Sequence, residues 1–459
     1  MMANNTKQSE SIKLIAAAKV GDKPGVTAAL RAGADKDAGD PERHNFTSLH
    51  WAAEKGYSGV VIKLFNSGVN VDVRDDRDRT ALHQVCFYGH ETVVGLLIGK
   101  SAIVDAVDED GFTPLMSASQ SGYDNLIVLL LDAGAHIGLK DNDGMAAIHY
   151  ACINGHDSVV DLLASNNADI NIKNNTDCQP IYSAAFYGHD LTVTKLIQLG
   201  ADVNCKANGG FTPLYIASQE GHDKVVEVLL EHKAQVNFKL PQGSTAISVA
   251  SEYGHVAIVH MLITHGANIN YSRSDGHTSL MHASQKGRDE IVSLLILYGA
   301  NIEAVTINGI SPLLMACNMG HVSTAKILLD GGANPHTCDN AGNTPIQVAI
   351  DKGYHELISI MNITPTGRLQ SLSLDQEASG TSNKKNLTPS GDSSTSSSAA
   401  TSNLECVVCM DPRTSTVMTL PCRHAVTCQK CMNDMEARGD NRCPLCRTEI
   451  QQRIPIFIN

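Results

Sequence analysis

The feature that most constrains this chain is a repeat of 33 residues that runs without interruption through its first three quarters. Each repeat begins at Thr47, Thr80, Thr113, Ala146, Gln179, Thr212, Thr245, Thr278, Ser311 or Thr344. A glycine follows nine residues later in every repeat, from Gly56 to Gly353. Because one short repeat cannot bury its apolar residues alone, ten repeats in register predict a stack with one continuous core.

The residues inside each repeat predict two short helices. The leading Thr or Ser can accept hydrogen bonds from free backbone amides, and the proline that often follows, as in Thr113-Pro114, suits the first helical position. The glycine predicts a left-handed end to the first helix. Apolar spacing such as Val225–Leu230 predicts the second helix. Ala146 and Gln179 lack the capping hydroxyl, so we expect weaker helix starts there.

Small and polar side chains recur at fixed positions of the repeat. One column holds alanine in every repeat except at Val85, and the next column mixes Ala and Ser with Cys86, Cys152 and Cys317. Small side chains let neighbouring helices approach closely, so we interpret these cysteines as packing residues rather than nucleophiles. Histidines also recur, at His50, His83, His149, His90, His156, His189, His222, His255 and His321. Spread along a stack of repeats, they predict structural hydrogen bonds rather than a metal or catalytic site.

The sequence Thr80-Ala-Leu-His83 and the recurring Gly-His-x-x-Val-Val segment resemble the ankyrin repeat over about residues 11–363. The resemblance implies an all-α ankyrin-repeat solenoid of about ten full repeats. An incomplete repeat, Leu14 to Ala34, is expected to form the N-terminal cap. The resemblance further implies that this region binds proteins and does not catalyse a reaction.

Two features of the repeats could locate a protein partner. Aromatic residues replace polar ones near the end of the first helix at Phe87, Tyr88, Phe186, Tyr187 and Tyr253. They would serve either as anchors for a bound substrate in a groove or as stacking contacts between repeats. The predicted turns 75–78, 108–110 and 141–143 are acidic. Either a basic partner segment or ordinary solvated turns would explain that composition.

Residues 364–404 interrupt the periodicity. This segment is rich in Ser and Thr and has few large apolar groups, so it predicts a disordered linker. The chain as a whole has a net charge of −13, which argues against nucleic acid as a partner. It shows no secretory signal and no apolar run long enough for a membrane span. We therefore expect a cytoplasmic protein, with the nucleus as the alternative, and no membrane partner.

Residues 405–459 contain eight metal-ligand side chains with the spacing of zinc sites. They form four pairs: Cys406 and Cys409, Cys422 and His424, Cys428 and Cys431, and Cys443 and Cys446. Four pairs imply two tetrahedral sites, and a histidine among thiolates favours two Zn²⁺ over an iron–sulfur cluster. Four protein ligands per ion leave no position for a catalytic water. The sites therefore predict zinc-dependent folding and exclude zinc hydrolase chemistry.

The ligand order is similar to that of the RING finger, a small zinc-stabilised α+β domain. In that family the sites are cross-braced, which implies one zinc at Cys406, Cys409, Cys428 and Cys431 and the other at Cys422, His424, Cys443 and Cys446. Val408, Met435, Pro444 and Leu445 match the apolar positions that contact a ubiquitin-conjugating enzyme. Arg447 matches the linchpin arginine of active RING ligases, where a guanidinium can bond two partners at once. An ordinary surface charge is the alternative for Arg447.

The segment after Cys446 resembles the short tail of the RING domains of inhibitor-of-apoptosis proteins and of the double-minute ligases. In those families the RING dimerises and an aromatic residue of one tail contacts the ubiquitin held by the other subunit; Phe457 matches that residue. The alternation of Ile454, Ile456 and Ile458 predicts a strand with one apolar face. The sequence departs from this pattern at Arg423, which replaces a common glycine, and in the eleven residues before Cys443.

Together these resemblances predict a RING-type ubiquitin ligase with a homodimeric RING. The repeats would bind a protein substrate, and the RING would bind a conjugating enzyme charged with ubiquitin. Transfer would then depend on positioning, with no covalent intermediate on this chain. The alternative is a non-catalytic ankyrin scaffold whose zinc module serves dimerisation or protein binding.

Overall fold

The computed structural model describes residues 2–362, 416–420, 427–428 and 452–456. The chain divides into two compact units, Met1–Leu372 and Ser373–Asn459. In the described ranges, the helices belong to the first unit, which also holds one short hairpin. The second unit contributes three strands. No helix of the described part is long and apolar enough to span a bilayer.

The first unit is a stack of eleven helix pairs. The first helices of the pairs are α1 Met2–Val20, α3 Ser48–Glu54, α5 Ala81–Tyr88, α7 Pro114–Ser121, α9 Ala147–Ile153, α11 Pro180–Tyr187, α13 Pro213–Glu220, α15 Ala246–Tyr253, α17 Ser279–Gln285, α19 Pro312–Met319 and α21 Pro345–Asp351. The second helices are α2 Lys23–Arg31, α4 Ser58–Asn66, α6 Glu91–Ile98, α8 Asp124–Asp132, α10 Asp157–Ser165, α12 Asp190–Gln198, α14 Asp223–Glu231, α16 Val256–Thr264, α18 Asp289–Leu297, α20 Val322–Asp330 and α22 His355–Asn362. First helices pack against first helices of neighbouring repeats, and second helices against second helices. The predicted solenoid of ten repeats is therefore confirmed, and α1 with α2 forms the additional N-terminal pair.

Caps at the helix starts follow the predicted pattern. The side chains of Thr47, Thr113, Thr212, Thr245, Thr278, Ser311 and Thr344 each accept a hydrogen bond from the backbone amide three residues on. Ala146 has no hydroxyl, but its amide donates to Nδ1 of His149 at 3.1 Å, which replaces part of the cap. Gln179 makes no side-chain cap, and its Oε1 is buried without a hydrogen-bond partner in the described structure.

The core lies between the two helix layers and is continuous along the array. Every member of the alanine column, together with Val85, is 0% exposed. The adjacent column of Ala, Ser and Cys is equally buried from Ala53 to Cys317. Because these side chains are small, first helices of successive repeats pack closely, and the second helices supply the larger apolar residues such as Val225, Val226 and Leu229.

A small separate cluster closes the N-terminal end. Ile15 of α1 packs with Phe46 and Trp51. Strands β1 (Gly39–Asp40) and β2 (Phe46–Thr47) pair in antiparallel register, with Gly39 opposite Thr47. The cations of Lys19 and Arg43 lie 4.4 and 4.3 Å from the centre of the Trp51 ring, so charged side chains cover the buried indole.

Extended segments, here called fingers, connect the second helix of one repeat to the first helix of the next. Backbone amides of one finger donate to carbonyl oxygens of the preceding finger: Asp76 to His44, Glu109 to Arg77, Asn142 to Asp110, Asn175 to Asp143, Asn208 to Thr176, Ser274 to Gln242, Ile307 to Asp275 and Asn340 to Asn308, at 2.8–3.1 Å. Pro241 occupies the equivalent position in one finger. Since proline has no amide hydrogen, the ladder is interrupted there.

From Gly56 to Gly320, the glycine at each first-helix end meets an aromatic or cationic side chain of the next repeat. The glycines from Gly56 to Gly353 all have positive φ, between +66° and +98°. A Cβ atom on Gly188 would lie 2.6 Å from Nδ1 of His222, and one on Gly155 would lie 2.6 Å from Nδ1 of His189. Glycine is therefore required twice, by the backbone conformation and by the side chain that packs on it.

Three strands are described in the second unit. They are β3 Thr416–Leu420, β4 Thr427–Cys428 and β5 Gln452–Ile456. β3 is central and pairs antiparallel with both neighbours, with Thr416 opposite Cys428 on one side and opposite Ile456 on the other. A strand is therefore present over Ile454 and Ile456, as their alternation predicted. Ile458 and the predicted linker 364–404 lie outside the described residues.

We predict that Gly188→Ala destabilises the array more than Gly200→Ala. Both glycines have positive φ, at +81° and +92°, but only Gly188 faces another side chain within 4 Å. Backbone strain at either site costs about 1–2 kcal/mol, and overpacking against His222 adds about 1–3 kcal/mol at Gly188. Urea unfolding followed by circular dichroism measures both variants. Equal losses of free energy of unfolding would contradict the proposed role of the contact with His222.

Candidate functional site

The exposed side of the first helices forms a surface along the array, here called the inner face. In each repeat its exposed side chains come mainly from the residues seven and eight positions after the first, for example Phe87 and Tyr88, and the residue four positions after the first lies beside them, mostly buried, as Gln84 is. Residues three and four apart share one side of a helix, so these positions point the same way. The remaining first-helix residues, such as Leu82 and Val85, are buried in the core.

The five aromatic residues predicted as substrate anchors are exposed on or beside this inner face. Phe87 is 46% exposed, Tyr187 51% and Tyr253 52%, and Tyr88 and Phe186 are also exposed. Large exposed rings on a folded surface are typical of protein-binding sites.

The rings contact each other within a repeat. The centres of Phe87 and Tyr88 are 5.2 Å apart, and those of Phe186 and Tyr187 are 4.9 Å apart, both edge to face. Tyr253 stacks on His255 of its own repeat at 6.5 Å. Among the described residues these five rings therefore form no aromatic stacks between repeats, which was the alternative explanation from the sequence.

The acidic turns at the finger tips contain two kinds of carboxylate. Asp75, Asp108 and Asp141 each accept hydrogen bonds from two backbone amides of their own turn, at 2.8–3.0 Å. These aspartates shape the turns; Asp75 is buried and also pairs with Arg79, so it is not a solvated turn residue. Asp110 and Asp143 are exposed at the tips and form no ion pair within the described structure. They leave negative charge available to a partner.

Tyr150, which the sequence analysis did not single out, joins a finger to the inner face. It lies on α9, four residues after Ala146, the first residue of its repeat. Its ring meets Phe112 edge to face at 4.6 Å, and its hydroxyl donates to Asp141. Burial raises the pKa of Tyr150, and the bond to Asp141 and the charges of Asp143 and Asp108 raise it further. The position three residues before the aromatic column was the signal that could have identified it.

The recurring histidines are structural, as predicted. In His83, Nδ1 accepts from the amide of Thr80 at 3.1 Å, and Nε2 donates to the carbonyl of Phe112 in the next finger at 2.9 Å. A second set bonds back to the preceding repeat: Nε2 of His90, His156, His189, His222, His255 and His321 donates to Glu54, Gln120, Ile153, Phe186, Gln219 and Gln285, respectively, at 2.8–3.0 Å. Within the described residues, no group of three or more His, Cys, Asp or Glu side chains could hold a metal.

The three cysteines of the small-residue column are also structural. Cys86, Cys152 and Cys317 are 0% exposed. Burial raises the pKa of all three thiols, to about 12 for Cys317. A neutral, inaccessible thiol is a poor nucleophile, so the packing interpretation agrees with the structure.

Most predicted residues of the zinc module lie outside the described residues. These are Cys406, Val408, Cys409, Cys422, His424, Cys431, Met435, Cys443, Pro444, Leu445, Cys446, Arg447 and Phe457. Cys428 ends β4 and Ile456 ends β5, and both strands flank β3. The sheet therefore connects one predicted ligand segment with the C-terminal tail within a single chain.

Comparisons with known proteins identify both regions. The family described as ankyrin repeats (3 copies) matches residues 49–141, 108–174, 129–207, 148–240, 214–306 and 280–362. These matches together cover more than half of the sequence, so the chain belongs to the ankyrin repeat family. The family described as zinc finger, C3HC4 type (RING finger), matches residues 402–453. The chain is thus an ankyrin-repeat protein with a C3HC4 RING finger, a domain type that binds zinc.

Similar curated proteins match over short segments. A putative E3 ubiquitin-protein ligase RF298 of Arabidopsis thaliana is 46% identical over 50 residues, or 11% of this chain. MND1-interacting protein 1 of the same plant is 42% identical over 57 residues, and E3 ubiquitin-protein ligase RNF26 of Mus musculus is 38% identical over 56 residues, each 12% of this chain. The chain spans only 6%, 8% and 13% of these relatives.

A solved structure also resembles the array. The human ASB11 ankyrin repeat domain has a TM-score of 0.45 and 28% sequence identity, covering 48% of this chain and 98% of that chain.

We predict that the buried histidines make the array less stable in mild acid. Burial lowers the pKa of His50 and His83 to about 4, below the ordinary value of 6.5. Below pH 6.5 these histidines therefore bind protons in the unfolded chain but not in the folded chain. The free energy of unfolding consequently falls as the pH is lowered from 6.5 to 4. His83→Ser should reduce that slope by up to about 1.4 kcal/mol per pH unit, the contribution of one proton.

Serine is a suitable replacement because Ser248 occupies the same column and accepts from the amide of Thr245 at 2.9 Å. His232→Ser, which removes an exposed histidine at the end of α14, is the matched control for loss of a histidine outside the core. Urea unfolding at several pH values between 6.5 and 5 measures the slopes. An unchanged slope in His83→Ser would contradict the prediction.

Proposed function

We propose that this protein is a RING-type ubiquitin ligase whose ankyrin array binds the protein substrate. The observation that carries the proposal is the C3HC4 RING match at residues 402–453. Two of the relatives that resemble the RING region are named E3 ubiquitin-protein ligases, one of them as putative. The array supports the proposal with an exposed aromatic surface and without a reactive thiol among its buried cysteine columns. The two regions thus suit substrate binding and ubiquitin transfer, respectively.

The proposed metal sites use the complete set of eight donors. One Zn²⁺ would bind Cys406, Cys409, Cys428 and Cys431, and the other Cys422, His424, Cys443 and Cys446. Seven thiolates and one imidazole are the soft and borderline donors that zinc prefers. When bound, the metal supplies folding free energy to a module with few apolar residues and offers no open position for water. The chemistry of transfer is therefore assigned to the side chains between the ligands.

Apolar side chains of the RING are proposed to bind the ubiquitin-conjugating enzyme. Val408 lies inside the first ligand pair, Met435 follows Cys431, and Pro444 and Leu445 lie inside the last pair. Val408, Pro444 and Leu445 each lie next to a metal ligand in the sequence, and Met435 lies four residues after one, so metal binding would restrict their positions. This proximity to the ligands supports a preorganised contact surface.

Arg447 is proposed to hold the conjugating enzyme and its ubiquitin in one arrangement. Its guanidinium offers five donors in a planar fork, which suits simultaneous bonds to two proteins. The substrate lysine would then attack the thioester carbonyl of the charged conjugating enzyme, and the thiol of that enzyme would leave. The ligase itself contributes orientation, which lowers the barrier without a covalent intermediate.

The C-terminal tail is proposed to act in a homodimer. Phe457 would contact the ubiquitin bound by the partner subunit, and Ile456 and Ile458 would belong to the dimer surface. β5 pairs with β3 of the same chain over Gln452–Ile456, so a second copy would meet a tail already anchored in a sheet. Phe457 follows the last paired residue directly, which would place it beside a fixed strand.

A non-catalytic scaffold is the second candidate. A scaffold would need only protein binding by the helical array and dimerisation through the zinc module. The scaffold and the ligase differ in one property, the release of ubiquitin from a charged conjugating enzyme.

We predict that Arg447→Ala abolishes most self-ubiquitination while the protein stays folded. The reason is that the variant retains all eight zinc ligands and loses the bonds that hold the closed arrangement. Loss of one such charge-assisted contact corresponds to about a tenfold to a hundredfold lower rate. Arg438→Ala, which removes an equal charge between Cys431 and Cys443, is the matched control.

The assay uses purified chain, ubiquitin-activating enzyme and a panel of conjugating enzymes, with metal analysis expected to give two zinc ions per chain. If the wild-type protein forms no ubiquitin chains with any enzyme of the panel, the ligase proposal fails. If Arg438→Ala loses as much activity as Arg447→Ala, the specific role of Arg447 fails.

We predict that deletion of residues 454–459 abolishes self-association and activity. Because the deletion also removes three of the five residues of β5, the single change Phe457→Ala is the sharper test. It should lower the ubiquitination rate at least about fivefold and leave zinc content and dimer mass unchanged, because the side chain acts on ubiquitin rather than on the fold. Light scattering and single-turnover ubiquitin discharge measure these properties. A fully active truncated protein would refute the role of the tail.

A further inference from the structure

The negative charge of the chain is concentrated between two pairs of exposed aromatic residues. From Gly89 to Ala185, between Phe87–Tyr88 and Phe186–Tyr187, the sequence contains thirteen Asp or Glu and three Lys. This stretch has a net charge of −10, against −13 for the whole chain. The aromatic pairs thus bracket the most acidic part of the array.

Part of this charge faces the inner face. The hydroxyl of Tyr150 on α9 donates a hydrogen bond to Asp141. The pKa of Tyr150 is raised first by burial, next by this bond, and further by the charges of Asp143 and Asp108. Finger carboxylates therefore lie close enough to the inner face to act on a group there. A bound segment on the inner face would experience the same negative potential.

Three of the finger-tip carboxylates are available to a partner. Asp110 and Asp143 are exposed and have no ion pair in the described structure, and Glu109 has only a distant contact, 3.8 Å, with the half-exposed Arg77. The turn-forming Asp108 and Asp141 are already used by backbone amides. Unlike the exposed acids of the second helices, Glu109, Asp110 and Asp143 lie on fingers beside Tyr150.

The spacing of the aromatic pairs sets the length of a ligand that reaches both. Phe87–Tyr88 and Phe186–Tyr187 are three repeats apart. Neighbouring helices pack about 8–10 Å apart, so three steps correspond to about 24–30 Å. An extended chain advances about 3.3 Å per residue, so seven to nine residues, roughly, would span the distance.

We propose that the inner face between Phe87–Tyr88 and Phe186–Tyr187 binds an extended, lysine- and arginine-rich segment of a substrate protein. Apolar side chains near both ends of the segment contact the aromatic pairs, and the basic residues between them face Glu109, Asp110 and Asp143. This inference rests on the proposed function and names its substrate class. A segment of this kind also carries lysine amines, the groups proposed to accept ubiquitin, close to where the substrate would bind.

The test uses the full chain and a labelled synthetic peptide with a Trp near each end and lysines between. Matched peptides replace lysine by glutamate, replace both Trp by Ala, or bring the two Trp together at one end. Fluorescence anisotropy at low and high salt gives Kd. We expect the lysine peptide to bind most tightly and its affinity to fall as salt rises, because screening weakens the attraction.

Variants of the array locate the site. Phe87→Ala and Phe186→Ala should each raise Kd about fivefold to tenfold. Tyr298→Ala, a comparably exposed ring directly after α18 and beyond the acidic stretch, should change Kd less than about twofold. Combined Glu109→Gln, Asp110→Asn and Asp143→Asn should weaken binding and reduce its salt dependence, whereas the same charge change at Asp132, Glu227 and Glu231 of the second helices should not.

Several results would overturn the proposal. They are equal binding of the lysine and glutamate peptides, equal binding of the clustered and spaced Trp peptides, or equal losses in the control variants. The comparison of peptides on the wild-type chain does not depend on any variant folding. Self-ubiquitination, measured on the same preparations, reports the RING separately, so failure of this proposal and failure of the ligase proposal give different results.

Discussion

The contact between a first-helix glycine, from Gly56 to Gly320, and a side chain of the next repeat is the interaction on which the rest of the array depends. The glycine adopts a left-handed conformation, and a histidine such as His222 packs on Gly188 and donates to the carbonyl of Phe186. The same residue thus ends one helix and fixes the next repeat against it. Because the contact recurs every 33 residues, register is set locally and the core becomes continuous.

This arrangement leaves the inner face free for binding. The histidines and small residues that hold the repeats together point into the core or along the stack, so the exposed side chains seven and eight positions after the first residue, such as Phe87 and Tyr88, contribute little to the packing. Phe87, Tyr88, Phe186 and Tyr187 occur at these free positions, and the acidic fingers adjoin them. Under the proposed function, substrate choice could therefore vary without cost to the fold, and the RING would carry out the transfer of ubiquitin.

Features that recur in every repeat were predictable from the sequence, whereas contacts between neighbouring repeats were not. Helix caps, glycine turns, buried alanines and the structural role of the histidines follow from local chemistry repeated ten times. The partner of each histidine nitrogen could not be predicted, because it depends on how one repeat lies on the next. The same limit applies to Tyr150, whose role arises from Phe112 and Asp141 on different fingers. The loss of a ladder bond at Pro241 was predictable in principle, since it needs only the missing amide.

The proposed function places substrate binding and ubiquitin transfer in one chain, so its most direct test measures both on the same preparation. One rate is discharge of ubiquitin from a charged conjugating enzyme to free lysine, and the other is transfer to a peptide with the proposed basic segment. For the double variant Phe87→Ala and Phe186→Ala, we predict at least about a tenfold loss of transfer to the peptide and unchanged discharge to lysine. Equal loss of both rates, undiminished transfer to the peptide, or no discharge by the wild-type chain would contradict the account.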